Sequence, residues 1–321
     1  MQIGFVGLGK MGANMVDRLR RGGHDVVGYD IDRSKSDVGS LEELAQRLDR
    51  PRHLWMMVPY GAPIDRTVEV LAGILDEDDV VVEGGNSRWT DDVRHATLLA
   101  QRGIGLVDCG VSGGVWGLEA GYALMAGGAD EHVKRLMPVF ETLKPPGEAG
   151  FVHAGPSGAG HFAKMVHNGI EYGLMQSYAE GFELLDASEL VRDVPGVMGS
   201  WTAGTVIRSW LLDLAVAALE DDPELARLRG YADDSGEGRW CVEAGIAHAV
   251  PTPAISAALY ARFASRQDDS PAMKLVAALR RGFGGHDVLE ASPPTAGGAD
   301  EPSQKSGPSG GPGVGGSKPG P

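Results

Sequence analysis

Apolar residues follow two regimes along the chain. Over residues 1 to about 155, short runs rich in β-branched side chains alternate with stretches that read as helices. The runs are Ile3–Val6, Val26–Tyr29, Leu54–Val58, Val80–Glu83 and Leu106–Asp108, and Ala123–Met125 and Phe151–His153 extend the series. Met11–Arg21, Leu41–Leu48 and Thr90–Arg102 are among the helical segments between them. Strands separated by helices close right-handed βαβ units, so this part is expected to be a Rossmann-like, doubly wound, largely parallel sheet of α/β class. From about Ser157 to Phe283 strand-like alternation is scarce. Long helical segments dominate there, such as Ala159–Leu185, Ile207–Leu219 and Pro253–Ser265, punctuated by Gly196, Gly199, Pro223 and Pro251. An all-α domain is expected. From Ala291 onward Gly, Pro and Ser replace nearly all apolar residues. Such a segment cannot offset its ordering entropy and reads as a disordered tail. The expected division is 1–156, 157–290 and 291–321.

Composition narrows the function. Of the 321 residues 42% are hydrophobic, enough for two modest cores. Mean hydropathy is -0.13 and no apolar run approaches a membrane span, so no membrane role is expected. A formal net charge of -15 argues against nucleic acid, whose phosphates need a basic stripe. A small anionic substrate held by a few cations in a cleft remains compatible. The N-terminus lacks the basic region of a signal peptide. Only Cys109 and Cys241 occur, in no ligand spacing, so neither a disulfide framework nor a metal site is expected and a cytoplasmic setting fits.

The first strand runs directly into Gly7-Leu8-Gly9-Lys10-Met11-Gly12, and a helix follows. In that context the glycines allow a tight turn, close approach to a pyrophosphate, and close packing of helix on strand. The helix N-terminus offers free N–H groups to the phosphates. Asp30 ends the second strand, where an acid accepts from the adenosine ribose hydroxyls and repels a 2′-phosphate. NAD is therefore expected over NADP, although Arg33 is near enough to hold that phosphate.

The other informative segment is Gly158 to Gly173. Lys164, His167, Asn168 and Glu171 have offsets of 0, 3, 4 and 7, which place them on one helix face. Phe162, Met165, Val166, Ile170 and Leu174 flank them. Glycines at 158, 160, 169 and 173 are costly in a solvent-facing helix and suit tight packing. A base, an acid, a histidine and an amide on one stripe suit chemistry better than a surface laced with ion pairs.

Lys164 to Gly173, KMVHNGIEYG, resembles the catalytic helix of the 6-phosphogluconate dehydrogenases. The resemblance runs from Met1 to about Leu289. It takes in the glycine loop, Gly84-Gly85-Asn86-Ser87, Val111–Gly117, Ile207-Arg208-Ser209, Gly236-Glu237-Gly238-Arg239-Trp240 and Phe283-Gly284-Gly285-His286. The length fits that family's short type.

The resemblance implies oxidation and decarboxylation of 6-phosphogluconate to ribulose 5-phosphate, a step of the pentose phosphate pathway, without a metal. Lys164 is then the general base for the 3-hydroxyl and afterwards the acid that polarises the ketone. This role needs an uncharged amine at the outset, which desolvation favours. Glu171 donates the proton to C1. His167 and Asn168 orient the substrate, and Ser112, Gly113 and Gly114 hold its carboxylate in a backbone nest. Asn86 touches both substrate and nicotinamide ribose, and Val58 lines the cofactor cleft. Tyr172, Arg208 and Arg239 bind the 6-phosphate. Arg280 and His286 reach a neighbouring subunit's site, which implies a homodimer or homotetramer with shared sites.

Some residues depart from the family pattern. Arg239 stands for a lysine, Cys241 for a threonine near the phosphate, Glu83 for an aspartate, and Asp30-Ile31-Asp32 for the Asn-Arg-Thr of NADP users. The rival readings are a β-hydroxyacid dehydrogenase that releases no carbon dioxide, and a nucleotide-binding regulator without turnover.

Overall fold

The computed structural model describes residues 1–284 and 287–289. His286 and the tail from Ala291 lie outside the described residues. The described residues fall into two compact units that divide between Gln267 and Asp268.

The first unit opens with β1 (Gln2–Val6), α1 (Lys10–Arg21), β2 (Asp25–Tyr29), α2 (Leu41–Arg47), β3 (His53–Met56), α3 (Ala62–Ile74), β4 (Val80–Glu83), α4 (Trp89–Ala100) and β5 (Gly105–Ser112). It continues through the short α5 (Gly117–Ala120), β6 (Ala123–Gly128), α6 (Asp130–Leu143) and β7 (Phe151–Gly155). One seven-stranded sheet results, in the order β2-β1-β3-β4-β5-β6-β7. All neighbours are parallel except β5 and β6. Only residues 113–122 join those two strands. A parallel crossover needs a dozen or more residues, so β6 must return antiparallel.

The strands read as continuous apolar runs because both faces of the sheet are covered. Alternate residues of β3 and β4 point to opposite faces. Trp55, Val80 and Val82 join Phe5, Met15, Leu19 and Phe140 on one side. Leu54, Met56 and Val81 join Leu44, Val68, Leu71 and Leu99 on the other. Truncating a buried aromatic such as Trp55 to alanine costs about 3–5 kcal/mol in cores of this kind.

Five helices follow in the same unit: α7 (Ala159–Asp186), α8 (Val194–Ser200), α9 (Trp210–Asp221), α10 (Glu237–Ala247) and α11 (Pro253–Ala264). The expected boundary at 156/157 falls in the turn before α7, but packing ties α7 to the sheet. Its N-terminal N–H groups at Gly158 and His161 donate to the Asp108 carboxylate of β5, at 2.6 and 2.9 Å. A carboxylate there satisfies orphan donors and opposes the positive end of the helix dipole. A side chain at Gly160 would lie 2.3 Å from the Met125 carbonyl oxygen, so α7 rests almost directly on β6. Gly196 and Gly199, read from the sequence as breaks, lie inside α8. Asp193 caps that helix by accepting from the Gly196 N–H at 2.8 Å, so the break falls earlier than the glycines suggest.

The second unit contains α12 (Pro271–Gly284). Ser270 accepts from the Met273 N–H at 3.4 Å, and Asp269 pairs with Lys274. Met273, Leu275, Val276 and Leu279 are all exposed along this helix. No described helix is long and apolar enough to cross a membrane.

Candidate active site

The glycine loop joins β1 to α1. Gly7 has a φ of +94°, and a side chain there would lie 2.4 Å from the Met57 carbonyl oxygen. At Gly12 a Cβ would lie 2.0 Å from the Gly7 carbonyl oxygen. Those two glycines are demanded by the protein's own packing. Gly9 is different, because nothing lies within 4 Å of its missing Cβ. It leaves an open cradle at the start of α1, where no side chain caps the helix. Lys10 and Met11 form the first turn there. A cleft of about 580 Å³ opens beside this loop, lined by Gly7, Gly9, Asp30, Val58 and Arg66 among others. These residues fit a dinucleotide: backbone N–H groups for the phosphates and an acid at the end of β2. The Asp30 carboxylate is fixed by the N–H groups of Leu8 and Asp32, at 2.6 and 2.8 Å. Arg33 lies exposed in the following turn.

Lys164 projects from α7 toward the loop after β4. Its Nζ donates to Asn86 Oδ1 at 2.5 Å and to Glu237 Oε1 at 3.1 Å. Its side chain is 11% exposed and that of Glu237 3%. Asn168, one turn further along α7, donates to the same Glu237 oxygen at 2.8 Å. The Ser235 hydroxyl donates to the other oxygen at 2.6 Å. Burial alone would push the Glu237 carboxyl up. The Lys164 ammonium and the Ser235 hydroxyl outweigh it and hold Glu237 below the ordinary glutamate value. Lys164 thus has a buried carboxylate beside it, a partner the sequence did not predict.

Gly110 of β5 makes this placement possible, since a Cβ there would lie 2.3 Å from Lys164 Cβ. Gly110→Ala is expected to push α7 or Lys164 aside. Misplacement by about 1 Å can cost 10²-fold in rate. The variant should therefore lose about two orders of magnitude in kcat while its dinucleotide affinity, titrated by fluorescence, stays unchanged. Full activity would show that α7 has slack at this point.

The rest of the stripe faces outward from the same side of α7. His167 and Glu171 are 47% and 37% exposed, with 3.9 Å between Nδ1 and Oε2. His167 Nδ1 also lies 3.0 Å from Asn168 Oδ1. Ile170 and Leu174, which flank the stripe, are exposed. Gly173 has nothing near its missing Cβ, whereas a Cβ at Gly169 would lie 2.7 Å from Cys241 Sγ. Tight packing thus explains Gly160 and Gly169, a left-handed φ of +93° explains Gly158 at the N-cap, and Gly173 has neither reason.

Ser112 ends β5 on the same face as Gly110. Gly113 and Gly114 follow with φ of +139° and +55°, which only glycine adopts at low cost. Asn14 of α1 holds the next residue by donating to the Val115 carbonyl at 3.3 Å.

Beyond Glu171 the side chains become cationic. Tyr172 is buried, and its hydroxyl accepts from the Ser235 N–H at 3.3 Å. The Arg262 guanidinium stacks 3.5 Å from the centroid of its ring. Arg239 donates through Nε and Nη2 to both oxygens of Asp234, at 2.7 and 3.0 Å, and Arg266 joins the same carboxylate at 3.0 Å. These arginines hold Asp234 below its ordinary range. Arg208 is not brought to this cluster. It is exposed next to Ile207, whose carbonyl accepts from Tyr178, about 9 Å further along α7 than Tyr172. Cys241, which stands for a threonine of the family pattern, is buried with Met165 and Trp240 against α7. Burial pushes its thiol up. Arg280 is exposed on α12, and His286 lies outside the described residues.

Beneath the site lies a buried network that the sequence did not reveal. His161 Nδ1 lies 2.7 Å from Asp92 Oδ2, and its Nε2 lies 3.0 Å from the carbonyl oxygen of Gly85, the residue before Asn86. Asp92, Asp108 and His161 bring their ligand atoms within 4.8 Å of one another, but both Asp108 oxygens and both ring nitrogens are already engaged. Burial lowers the imidazolium, yet Asp92, Asp108 and Glu83 outweigh it and push His161 up to about 9. Burial pushes Asp92 up to about 7, against the pull of His161. A raised histidine stabilises the fold below its unfolded value of 6.5 and loses that contribution as pH climbs through about 9. A raised carboxyl acts the same way from 3.8 to about 7. Stability is therefore expected to fall from pH 6.5 to 9. The urea midpoint across that range should show a downward slope, flattened in Asp92→Asn, and a rising slope would contradict this.

The glycine-loop cleft and the buried lysine beside it define a dinucleotide-dependent dehydrogenase. Residues 2–144 match the model of the NAD binding domain of 6-phosphogluconate dehydrogenase, and residues 160–287 match that of its C-terminal domain. An NAD(+)-dependent, decarboxylating 6-phosphogluconate dehydrogenase of Haloferax volcanii is 41% identical over 298 residues, which cover 90% of this chain and 98% of that one. The chain belongs to the 6-phosphogluconate dehydrogenase family. Its fold is also that of the Plasmodium falciparum 6-phosphogluconate dehydrogenase, with a TM-score of 0.77 at 24% identity, covering 91% of this chain and 66% of that one. Mycobacterium tuberculosis 3-hydroxyisobutyrate dehydrogenase shares the fold at a TM-score of 0.65 and 24% identity, covering 87% and 99%.

Proposed function

We propose that this chain oxidises and decarboxylates 6-phosphogluconate to ribulose 5-phosphate and carbon dioxide, with NAD as the preferred acceptor, in the cytoplasm. The observation that carries the reading is the contact of Lys164 with Asn86, which sets an amine of α7 against the loop beside the dinucleotide cleft. Bound in that cleft, the dinucleotide supplies the two-electron acceptor for C3. Lys164 takes the 3-hydroxyl proton and, as the ammonium, polarises the new keto oxygen while the C1 carboxylate leaves as carbon dioxide. Glu171, two helical turns beyond Lys164, protonates the resulting enediol at the former C2, which becomes C1 of ribulose 5-phosphate. Asn168 and His167 orient the hydroxyls between them. Ser112, Gly113 and Gly114 receive the carboxylate. Tyr172, Arg239 and Arg262 form the phosphate end: Arg239 already holds an anion, the Asp234 carboxylate, and the Arg262 guanidinium lies over the Tyr172 ring. Arg280 and His286 serve the site of a second copy in a homo-oligomer, and the exposed Ile170 and Leu174 suit such an assembly.

The 3-hydroxyisobutyrate reading shares the fold and the lysine but gives no use to Glu171. Reduced nicotinamide should form with 6-phosphogluconate and not with 3-hydroxyisobutyrate, and the reverse pattern would favour that rival. For the cofactor, the anchored Asp30 carboxylate favours ribose hydroxyls over a 2′-phosphate. kcat/KM is expected to be higher with NAD than with NADP, and Asp30→Ala should cut the NAD value about tenfold or more, the worth of one or two hydrogen bonds to a charged group. A wild-type preference for NADP would remove this role for Asp30.

A further inference from the structure

Glu237 stands out among the buried ionisable groups because its carboxylate touches the presumptive base directly. Its Oε1 accepts from Lys164 Nζ and Asn168 Nδ2 at 3.1 and 2.8 Å, and its Oε2 accepts from the Ser235 hydroxyl at 2.6 Å. It therefore joins two residues of the α7 stripe to the segment leading into α10. We propose that Glu237 is a positioning residue: the buried counter-ion that fixes Lys164 and Asn168 in one register and sets the pH at which Lys164 becomes a base. This rests on the dehydrogenase reading above.

The surroundings leave Glu237 as the charge that matters. Three elements meet Lys164. The loop after β4 contributes the neutral Asn86, α10 contributes Glu237, and β5 contributes Gly110, which has no side chain. The nearby Asp108 of β5 is engaged by the N–H groups of Gly158 and His161. On the α7 stripe His167 and Glu171 lie toward solvent, with 47% and 37% exposure. A carboxylate 3% exposed lies 3.1 Å from Nζ, so the proton exchange at this position runs against a buried negative charge. The same pairing later favours the ammonium that polarises the ketone. Glu237 thus delays the base step at low pH and supports the acid step.

The test compares the wild type with Glu237→Gln, an isostere that keeps an acceptor and removes the charge. With NAD saturating, kcat/KM for 6-phosphogluconate is measured across pH. The acidic limb should move to lower pH by about 1–3 units in the variant, the usual effect of losing an adjacent opposite charge. kcat at the wild-type optimum should fall, while the NAD dissociation constant stays unchanged. A folded, NAD-binding Glu237→Gln enzyme whose profile overlays the wild type, or moves to higher pH, overturns the proposal. Circular dichroism checks folding. If the glutamine variant does not fold, Glu237→Asp, which keeps the charge but draws it back from Nζ, should move the limb in the same direction by less, and an unmoved limb there overturns it equally. A wild type that fails to turn over 6-phosphogluconate would instead sink the functional reading, so the two failures are separable.

Discussion

Lys164→Ala is expected to lower kcat with 6-phosphogluconate by about 10³- to 10⁴-fold, the upper range for losing one general acid–base group. The upper range is expected because one amine serves two steps, as base for the 3-hydroxyl and as ammonium against the keto oxygen. Its surroundings make rescue by another group improbable. The side chain is 11% exposed, and its polar partners are an amide oxygen and a carboxylate already committed to Asn168 and Ser235. Removing the ammonium also leaves Glu237 buried without its cation, a cost of several kcal/mol in such sites, so the variant should be less stable as well. The dinucleotide cleft is built from other residues, Gly7, Gly9, Asp30 and Val58. NAD affinity should therefore hold, and rapid mixing should reveal no burst of reduced nicotinamide. Activity within tenfold of the wild type would remove Lys164 from the chemistry.

Glu171→Gln should fail differently. Its proton is needed only after the electrons have left C3 and the carboxylate has gone. The expected result is a burst of about one equivalent of reduced nicotinamide per site followed by turnover slowed about 10²- to 10³-fold, as for loss of a general acid alone. The burst separates the two residues, since a base variant blocks the first step and an acid variant the last. Glu171 is 37% exposed and its Oε2 lies 3.9 Å from His167 Nδ1, so substitution should leave the thermal midpoint nearly unchanged. Near-normal steady-state rates would refute its role as the acid.

Much of the fold was legible because strand and helix periods are strong where both sheet faces are buried. The seven runs read from the pattern correspond to the seven strands of the sheet. The antiparallel turn of β6 was also available in principle, from the shortness of the link after β5. The glycine loop and the α7 stripe were visible because each lies within a dozen residues, where spacing alone fixes geometry. The partners of that stripe were not. Glu237 meets Lys164 across a separation of 73 residues, and its only sign was a carboxylate between the two glycines of Gly236-Glu237-Gly238. Arg262 had no sign beyond its charge. The direction of Cys241 was not legible, because position in a motif does not tell which way a helix is turned; α10 turns that side chain toward Gly169 of α7. The His161–Asp92 pair escaped notice because three acids and a histidine from separate elements converge only when α7 lands on β5.

The central claim is that electron transfer and loss of carbon dioxide are coupled at the Lys164 site. The wild-type protein, NAD and 6-phosphogluconate labelled at C1 are incubated together, and reduced nicotinamide and labelled carbon dioxide are counted in the same vessel. The expected result is equal amounts of the two throughout the reaction. Reduced nicotinamide without labelled gas, or neither product, would contradict it.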